Sequence, residues 1–380
     1  MTTDEVLEYI NDNNYEFINV TFLPEFDFIP GSITNILSFE NCDFKASEFV
    51  IGSNDYDKDS EDKNIVFENC TFNEIEMKNT SNLFDISFYD SKIKKFILGF
   101  KTRLPKTLEI TSGSEINTLE IENVKFENRV IFKLDRLDYF HMYSSINTGF
   151  FCLTTYHGVR ILKIIEFTNS DYFELDGIRN RSNLSGRLVL SHSNFGYSKF
   201  NKLDLSNYHS FDYYNNSASE ITCNDCVWKI NFTDLDVVAK IQYFKDLRSF
   251  SEKGTLVHTE VNKRYLDLLF KEASTTDKLI LIFSKVVSNH CTNWFLPILF
   301  LFLSNLSAMY LINFNLDYKL LSFKDFAVLM NPLHLYSHYS FWGKLTASLP
   351  DSFYILDVIF RGVNAVVLYH LVKTFRRFHS

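Results

Sequence analysis

From the start of the chain to about residue 230, apolar and polar side chains alternate in short runs separated by turn-forming residues. This is the period of β-strands rather than of helices. One hexad recurs: aromatic or aliphatic, any, Asn/Asp-like, small, any, aromatic or aliphatic. The first copy is Phe17-Ile18-Asn19-Val20-Thr21-Phe22. The clearest are Phe39-Glu40-Asn41-Cys42-Asp43-Phe44 and Phe67-Glu68-Asn69-Cys70-Thr71-Phe72. Further copies begin at Phe88, Ile121, Phe167, Leu190 and Cys223, with Asp90, Asn123, Asn169, His192 and Asp225 in the third slot. Neighbouring clear copies start mostly 21 to 28 residues apart, which suits one coil of a solenoid. The alternating apolar residues then point inward, and the Asn or Asp bonds turn backbone and stacks between coils. A single coil cannot bury its apolar face alone, so stacking supplies the core. The competing architecture is a β-sandwich with evenly spaced strands. The shared Asn-small pair favours a right-handed β-solenoid of degenerate, pentapeptide-like coils.

After residue 232 the period changes. Leu235, Val238, Ile241, Phe244, Leu247 and Phe250 fall at helical spacing, and a second run covers 257–272 beyond a break at Gly254. Together they predict a helical hairpin that caps the open end of the solenoid. A third run, 278–287, is short and amphipathic. It fits a helix lying on a membrane surface and a plain core helix equally well.

Between Lys285 and Asp317 there is no Asp, Glu, Lys or Arg. The stretch 294–314 has the ~20 apolar residues a bilayer-crossing helix needs, with Trp294 and Tyr310 as interface anchors. A second span is expected over 352–372, although it contains Asp357, Arg361, Asn364 and His370. Asp357 and Arg361 stand four apart and share a helix face. Ionisable groups in a span face protein or water, so this helix either lines an interior or lies on the surface. The basic residues that follow it, Lys373, Arg376 and Arg377, favour spanning. Between the spans, 326–338 is too short to cross but apolar enough to enter the membrane as a re-entrant segment, which requires cover by protein or water. The chain thus divides into a solenoid (1–232), a helical connector (233–290) and a transmembrane module (291–380).

The net charge of −9 and the lack of a Lys/Arg cluster before the last eight residues argue against nucleic-acid binding. Six scattered cysteines fit a reducing compartment better than a disulfide framework. Cys42, Cys70 and Cys226 share one motif slot and are expected to pack. The pair Cys223/Cys226 lacks a second Cys/His pair at zinc spacing. His141 and His192 lie in or near strand patterns, where a lone His is more often structural than a ligand. There is no nucleophile elbow, phosphate loop or His-Glu-x-x-His, so no catalytic residue, metal site or cofactor is expected. No secretory signal opens the sequence, and the solenoid and C-terminus are therefore expected in the cytoplasm, with the inter-span loop outside.

The Phe-x-Asn-Cys-x-Phe coils, the connector YFKDLRSFSEKGTLVHTEVNKRYLDLLFKE, the segment LMNPLHLY and the tail LDVIFRGVNAVVLYHLVKTFRRF resemble bacterial pentapeptide-repeat-like membrane proteins with a two-span, ion-channel-like module. The resemblance implies an inner-membrane, multi-pass protein. It would be an oligomeric channel-like or membrane-permeabilising protein with a cytoplasmic sensing domain. Two spans cannot enclose a pore alone, so a channel needs a homo-oligomer. The expected partners are the bilayer, further copies of the chain and a protein bound by the solenoid. Asn331, Pro332, His334, Asp357, Arg361 and Asn364 are the candidate pore or interface residues. The alternative is a non-conducting membrane-tethered scaffold, and an enzyme is the weakest reading.

Overall fold

The structure is a computed structural model that describes residues 1–11, 16–23, 37–45, 49–52, 63–78, 84–99, 104–180, 185–217, 221–232, 235–250, 256–289, 295–316, 323–333 and 351–379. It divides into two compact units, Met1–Phe250 and Ser251–Ser380.

The first unit is a parallel β-solenoid. Two ten-stranded sheets and a short three-stranded one run along it, with each strand paired to its counterpart in the next coil. In the first sheet Phe17, Phe39, Phe67, Phe88, Ile110, Phe132, Leu153, Leu175, Phe200 and Cys223 stand in one column. Steps along it range from 21 residues (Phe67 to Phe88) to 28 (Phe39 to Phe67). Phe39 and Phe67 stack at 4.9 Å, Phe67 and Phe88 at 4.7 Å. A matching stack from the second sheet joins Phe22 to Phe44 at 4.5 Å and Phe44 to Phe72 at 4.4 Å. The two stacks meet edge to face, as at Phe67–Phe72 (5.4 Å). Each buried ring contributes about 1.5–3 kcal/mol by transfer from water.

The corner between the first two sheets explains the hexad. Asn19, Asn41, Asn69 and Asp90 occupy the left-handed region, with φ between 48 and 55°. Short Asn and Asp side chains tolerate that conformation. Their N–H groups bond to the next coil, as Asn41 does to the Glu68 carbonyl at 2.9 Å. The expected side-chain ladder is present, since Asn69 Nδ2 donates to Asn41 Oδ1 at 2.6 Å. The small residue that follows each turn is more than a spacer. Cys42 Sγ donates to the Phe17 carbonyl (3.3 Å), Cys70 to Phe39 (3.4 Å), Ser91 to Phe67 (3.5 Å) and Cys226 to Phe200 (3.3 Å). Burial without a partner would cost each hydroxyl about 1–3 kcal/mol. The Cys70 thiol is pushed above its ordinary value by its hydrogen bond with Cys42 and by burial.

The copies at Ile121 and Leu190 belong to another corner, between the second and third sheets, where Asn123 and His192 take the left-handed turn. The copy at Phe167 is out of register. There Glu166 makes the turn, at φ 55°, and Phe167 fills the small slot. Asn169 lies inside, accepts from Asn147 Nδ2 at 2.7 Å and donates to the Phe195 carbonyl at 2.9 Å.

Both ends of the solenoid are covered. Helix α1 (Thr3–Asn11) places Tyr9 5.0 Å from Phe17 and buries Val6. It starts with a capping box, in which Thr2 N donates to Glu5 Oε2 (2.7 Å) and Glu5 N to Thr2 Oγ1 (3.4 Å). Helix α2 (Val237–Phe250) covers the other end and belongs to the solenoid unit. Its N-terminus is capped by Asp236, whose Oδ1 accepts from Ala239 N at 2.7 Å. Its inward stripe is Ala239, Tyr243, Phe244 and Leu247, so the expected face is rotated and Val238 is 68% exposed. Tyr243 meets Phe211 and Tyr213 edge to face at 5.1 and 5.0 Å. Tyr213 donates to Asp246 Oδ2 at 2.8 Å.

The second unit is helical: α3 (Leu256–Glu272), α4 (Thr275–Ser288), α5 (Phe295–Leu316), α6 (Phe323–Met330) and α7 (Asp351–His379). Ser274 caps α4 by accepting from Asp277 N, and Asn289 ends it in the left-handed conformation. Lys285 of α4 pairs with Asp267 of α3 at 2.8 Å.

Candidate functional site

Helices α5 and α7 are long and apolar enough to cross a membrane, over Phe295–Ile312 and Phe353–Lys373. At 1.5 Å per residue, the 22 residues of α5 extend about 33 Å, close to the ~30 Å of a hydrocarbon core. A core helix of a soluble protein is mostly buried. Here only 33% of the first stretch and 17% of the second is buried. The uncovered faces are apolar: Leu299, Leu303 and Leu306 on α5, and Ile355, Val358 and Ile359 on α7. Such patches mark surfaces that meet lipid or another protein.

The pair is antiparallel. Leu301 packs with Val367 at one end, and Ala308 and Ile312 with Phe353 at the other. Helix α4 joins the first end, where Phe283 lies 6.2 Å from Phe300 and from the His370 ring, and Ser288 Oγ is 3.3 Å from His370 Nδ1. Helix α6 packs beside the pair through Phe326, 5.4 Å from Phe302, and through Leu329.

The interior seam of α7 follows a 4-3-4-3 spacing through Phe353, Asp357, Phe360, Asn364 and Val367. Asp357 and Asn364 are fully buried on it. Asn364 Nδ2 donates to Asn305 Oδ1 (2.9 Å) and to the Leu329 carbonyl (2.7 Å). Its Oδ1 accepts from Asn305 Nδ2 (3.2 Å) and Ser304 Oγ (3.4 Å). A carbonyl in the last turn of α6, left without an intrahelical partner, is thereby satisfied. Asn305 lies at the middle of α5 and Asn364 near the middle of the second stretch, so this node sits midway along both apolar helices. Asp357 Oδ2 accepts from Arg361 Nε at 2.7 Å, with Asp357 wholly buried and the Arg361 side chain 25% exposed.

The six sequence candidates are thus placed differently. Asp357, Arg361 and Asn364 lie along one helix, two of them on its inward seam. Asn331 and Pro332 form the turn that ends α6: Asn331 N bonds to the Val328 carbonyl (3.1 Å) and Leu333 N to Asn331 Oδ1 (3.0 Å). His334 and the remainder of the re-entrant segment lie outside the described residues. Its first part is the end of α6. Sequence reasoning missed Asn305. The available signal was an amide beside Ser304 at the centre of a mostly apolar run, because such a group requires a partner. Among the described residues, no group of three or more His, Cys, Asp or Glu side chains is arranged to hold a metal ion.

The class defined by this geometry is a β-solenoid joined to an apolar two-helix unit with a hydrogen-bonded polar interior. In comparisons with protein-family models, curated proteins and solved structures, the chain matches none.

Proposed function

We propose that the chain is a membrane-anchored solenoid of the bacterial inner membrane, of the pentapeptide-repeat-like kind with a two-span module. Its helical unit assembles with further copies into a channel-like or membrane-permeabilising protein. The solenoid and the C-terminus stand in the cytoplasm, where the solenoid binds a regulatory protein rather than nucleic acid. The protein performs no catalysis and needs no cofactor.

The observation that supports this reading is the polar seam inside the apolar helices. Asp357 and Asn364 are fully buried on the interior face of α7, while the outward faces are apolar. Charged and amide groups in a span are costly, and they are retained where a pathway or a helix contact uses them. A simple anchor needs neither.

The test is ion flux into liposomes carrying the purified full chain. Flux above that of empty vesicles is expected, and Asp357→Asn should change it several-fold while the oligomer still elutes at the same position. Inserted, oligomeric protein with no flux above empty vesicles would overturn the channel reading.

A further inference from the structure

The last coil of the solenoid departs from the others at one inward position. The column that begins at Phe17 holds Phe, Ile or Leu until its last member, which is Cys223. A thiol there gives up the burial that a ring would bring. Across the left-handed Asp225 (φ 52°), Cys226 fills the small slot of the same coil. The two thiols face one another closely enough to share a hydrogen bond. Residues at the two ends of a turn come within about 7 Å, close to the span that a disulfide bridges.

Cys42 and Cys70 supply the contrast. They also share a hydrogen bond, but each is only 1% exposed. Cys223 and Cys226 are free thiols that are only partly buried, so a solute reaches them from water. The hydrogen bond from Cys223 holds the Cys226 thiol below its ordinary value. Cys226 therefore forms the thiolate more readily, and the thiolate is the nucleophile.

A buried phenol lies against the pair. Tyr243 of α2 is 2% exposed, and its hydroxyl has no hydrogen-bond partner among the described residues. Burial aside, the groups that act on it are the Lys229 backbone N–H and Cys223. An N–H can only donate, so the phenol's own proton is left without an acceptor. A buried hydroxyl in that position is costly unless something accepts from it. A thiolate at Cys223 is such an acceptor.

We propose that Cys223 and Cys226 form a thiol–disulfide exchange site whose substrate is a small-molecule disulfide, with Tyr243 placed to donate to the Cys223 thiolate. The Cys226 thiolate attacks one sulfur of the substrate. The substrate S–S bond breaks, and one thiolate leaves with the electron pair and takes up a proton. Cys223 gives its proton to water, and its thiolate attacks the Cys226 sulfur of the mixed disulfide. The second substrate thiolate leaves and is protonated in turn. Two protein thiols are oxidised to one disulfide, and the substrate is reduced to two thiols. When the reaction runs back, Cys223 is the leaving thiolate and Tyr243 donates to it again. The site lies within the solenoid unit and does not depend on the membrane reading.

The test uses the full chain, purified in detergent and equilibrated with glutathione buffers from reducing to oxidising. The protein is then alkylated in denaturant and cut with trypsin. Peptide 203–229 contains Cys223 and Cys226 and no other cysteine. It should become lighter by two hydrogens in a single two-electron step, while Cys42 and Cys70 remain alkylated. Cys223→Ser should retain glutathione on Cys226 as a mixed disulfide. Tyr243→Phe keeps the ring and should slow reduction of the disulfide by dithiothreitol about tenfold, with the circular dichroism unchanged. A peptide that stays reduced in oxidising glutathione, or that gathers only glutathione adducts, would overturn the site. Cys223→Ser protein free of glutathione would overturn Cys226 as the attacking thiol. Tyr243→Phe protein reduced at the native rate would overturn the role of Tyr243.

Discussion

The solenoid and the helical unit both bury polar side chains among apolar ones, but they satisfy them differently. In the solenoid the thiols and hydroxyls at the corner between the first two sheets donate to a backbone carbonyl of the preceding coil, as Cys70 does to Phe39 and Ser114 to Phe88. The partner is main chain, present whatever residue the neighbouring coil carries. In the helical unit the backbone is already occupied within helices, so Asn305 and Asn364 turn to one another and to a carbonyl freed at the end of α6. A solenoid corner is thus tolerant, accepting Cys or Ser alike. The helical node is specific, because each amide depends on the other.

Five predictions break or sharpen that contrast. The largest effect is expected where no polar partner is involved. Phe67→Ala interrupts a stack with rings on both sides and should cost about 3–5 kcal/mol in thermal or denaturant unfolding of the solenoid. Next, Asn364→Leu strands Asn305 and the Leu329 carbonyl and should cost about 1–2 kcal/mol, read as faster hydrogen exchange in α6. Adding Asn305→Leu should recover part of that loss, since removing both members leaves fewer orphaned groups. A double mutant whose cost equals the sum of the two singles would contradict the mutual dependence. Cys70→Ser, by contrast, should change stability by less than about 1 kcal/mol, because Ser91 and Ser114 make the same bond one and two coils on.

The smallest effects are pH-dependent. Burial raises the Asp246 carboxyl above its ordinary value, although Tyr213 and Gln242 donate to it. The folded state therefore holds this proton more tightly than the unfolded chain. That contribution is present at low pH and is lost as pH rises from about 4 through the raised value. Asp246→Asn should flatten this part of the stability curve. His141 runs the other way. Burial and Lys163 hold its pKa below the ordinary value, so acidification through about 6.5 protonates the unfolded chain first and destabilises the fold. His141→Gln should remove that loss.

Much of the solenoid was legible because its corners need the left-handed backbone, and Asn or Asp before a small residue announces that need. Where the corner is built on Glu166, the signal vanished, and Asn169 three residues on drew the reading out of register. Helix α1 was readable from Thr2 and Glu5 but was passed over in an acidic opening stretch. The inward stripe of α2 was rotated because Val238 scores as apolar while Ala239 and Tyr243 do the packing. In the helical unit the two long apolar helices were plain from length and composition. The pairing of Asn305 with Asn364 was not, because nothing in spacing alone joins residues 59 positions apart.

The coils of the solenoid also have no built-in last member. The strand Thr222–Asn224 stands last in its parallel sheet, and an edge of this kind is a row on which another solenoid's first strand would pair in register. Among the described residues of this unit, α1 and α2 stand at the two ends. The rod's length is therefore set by its end pieces rather than by its repeating sequence. A chain stripped of both α1 and α2 is expected to join head to tail, turning a finite domain into the subunit of an open-ended fibre.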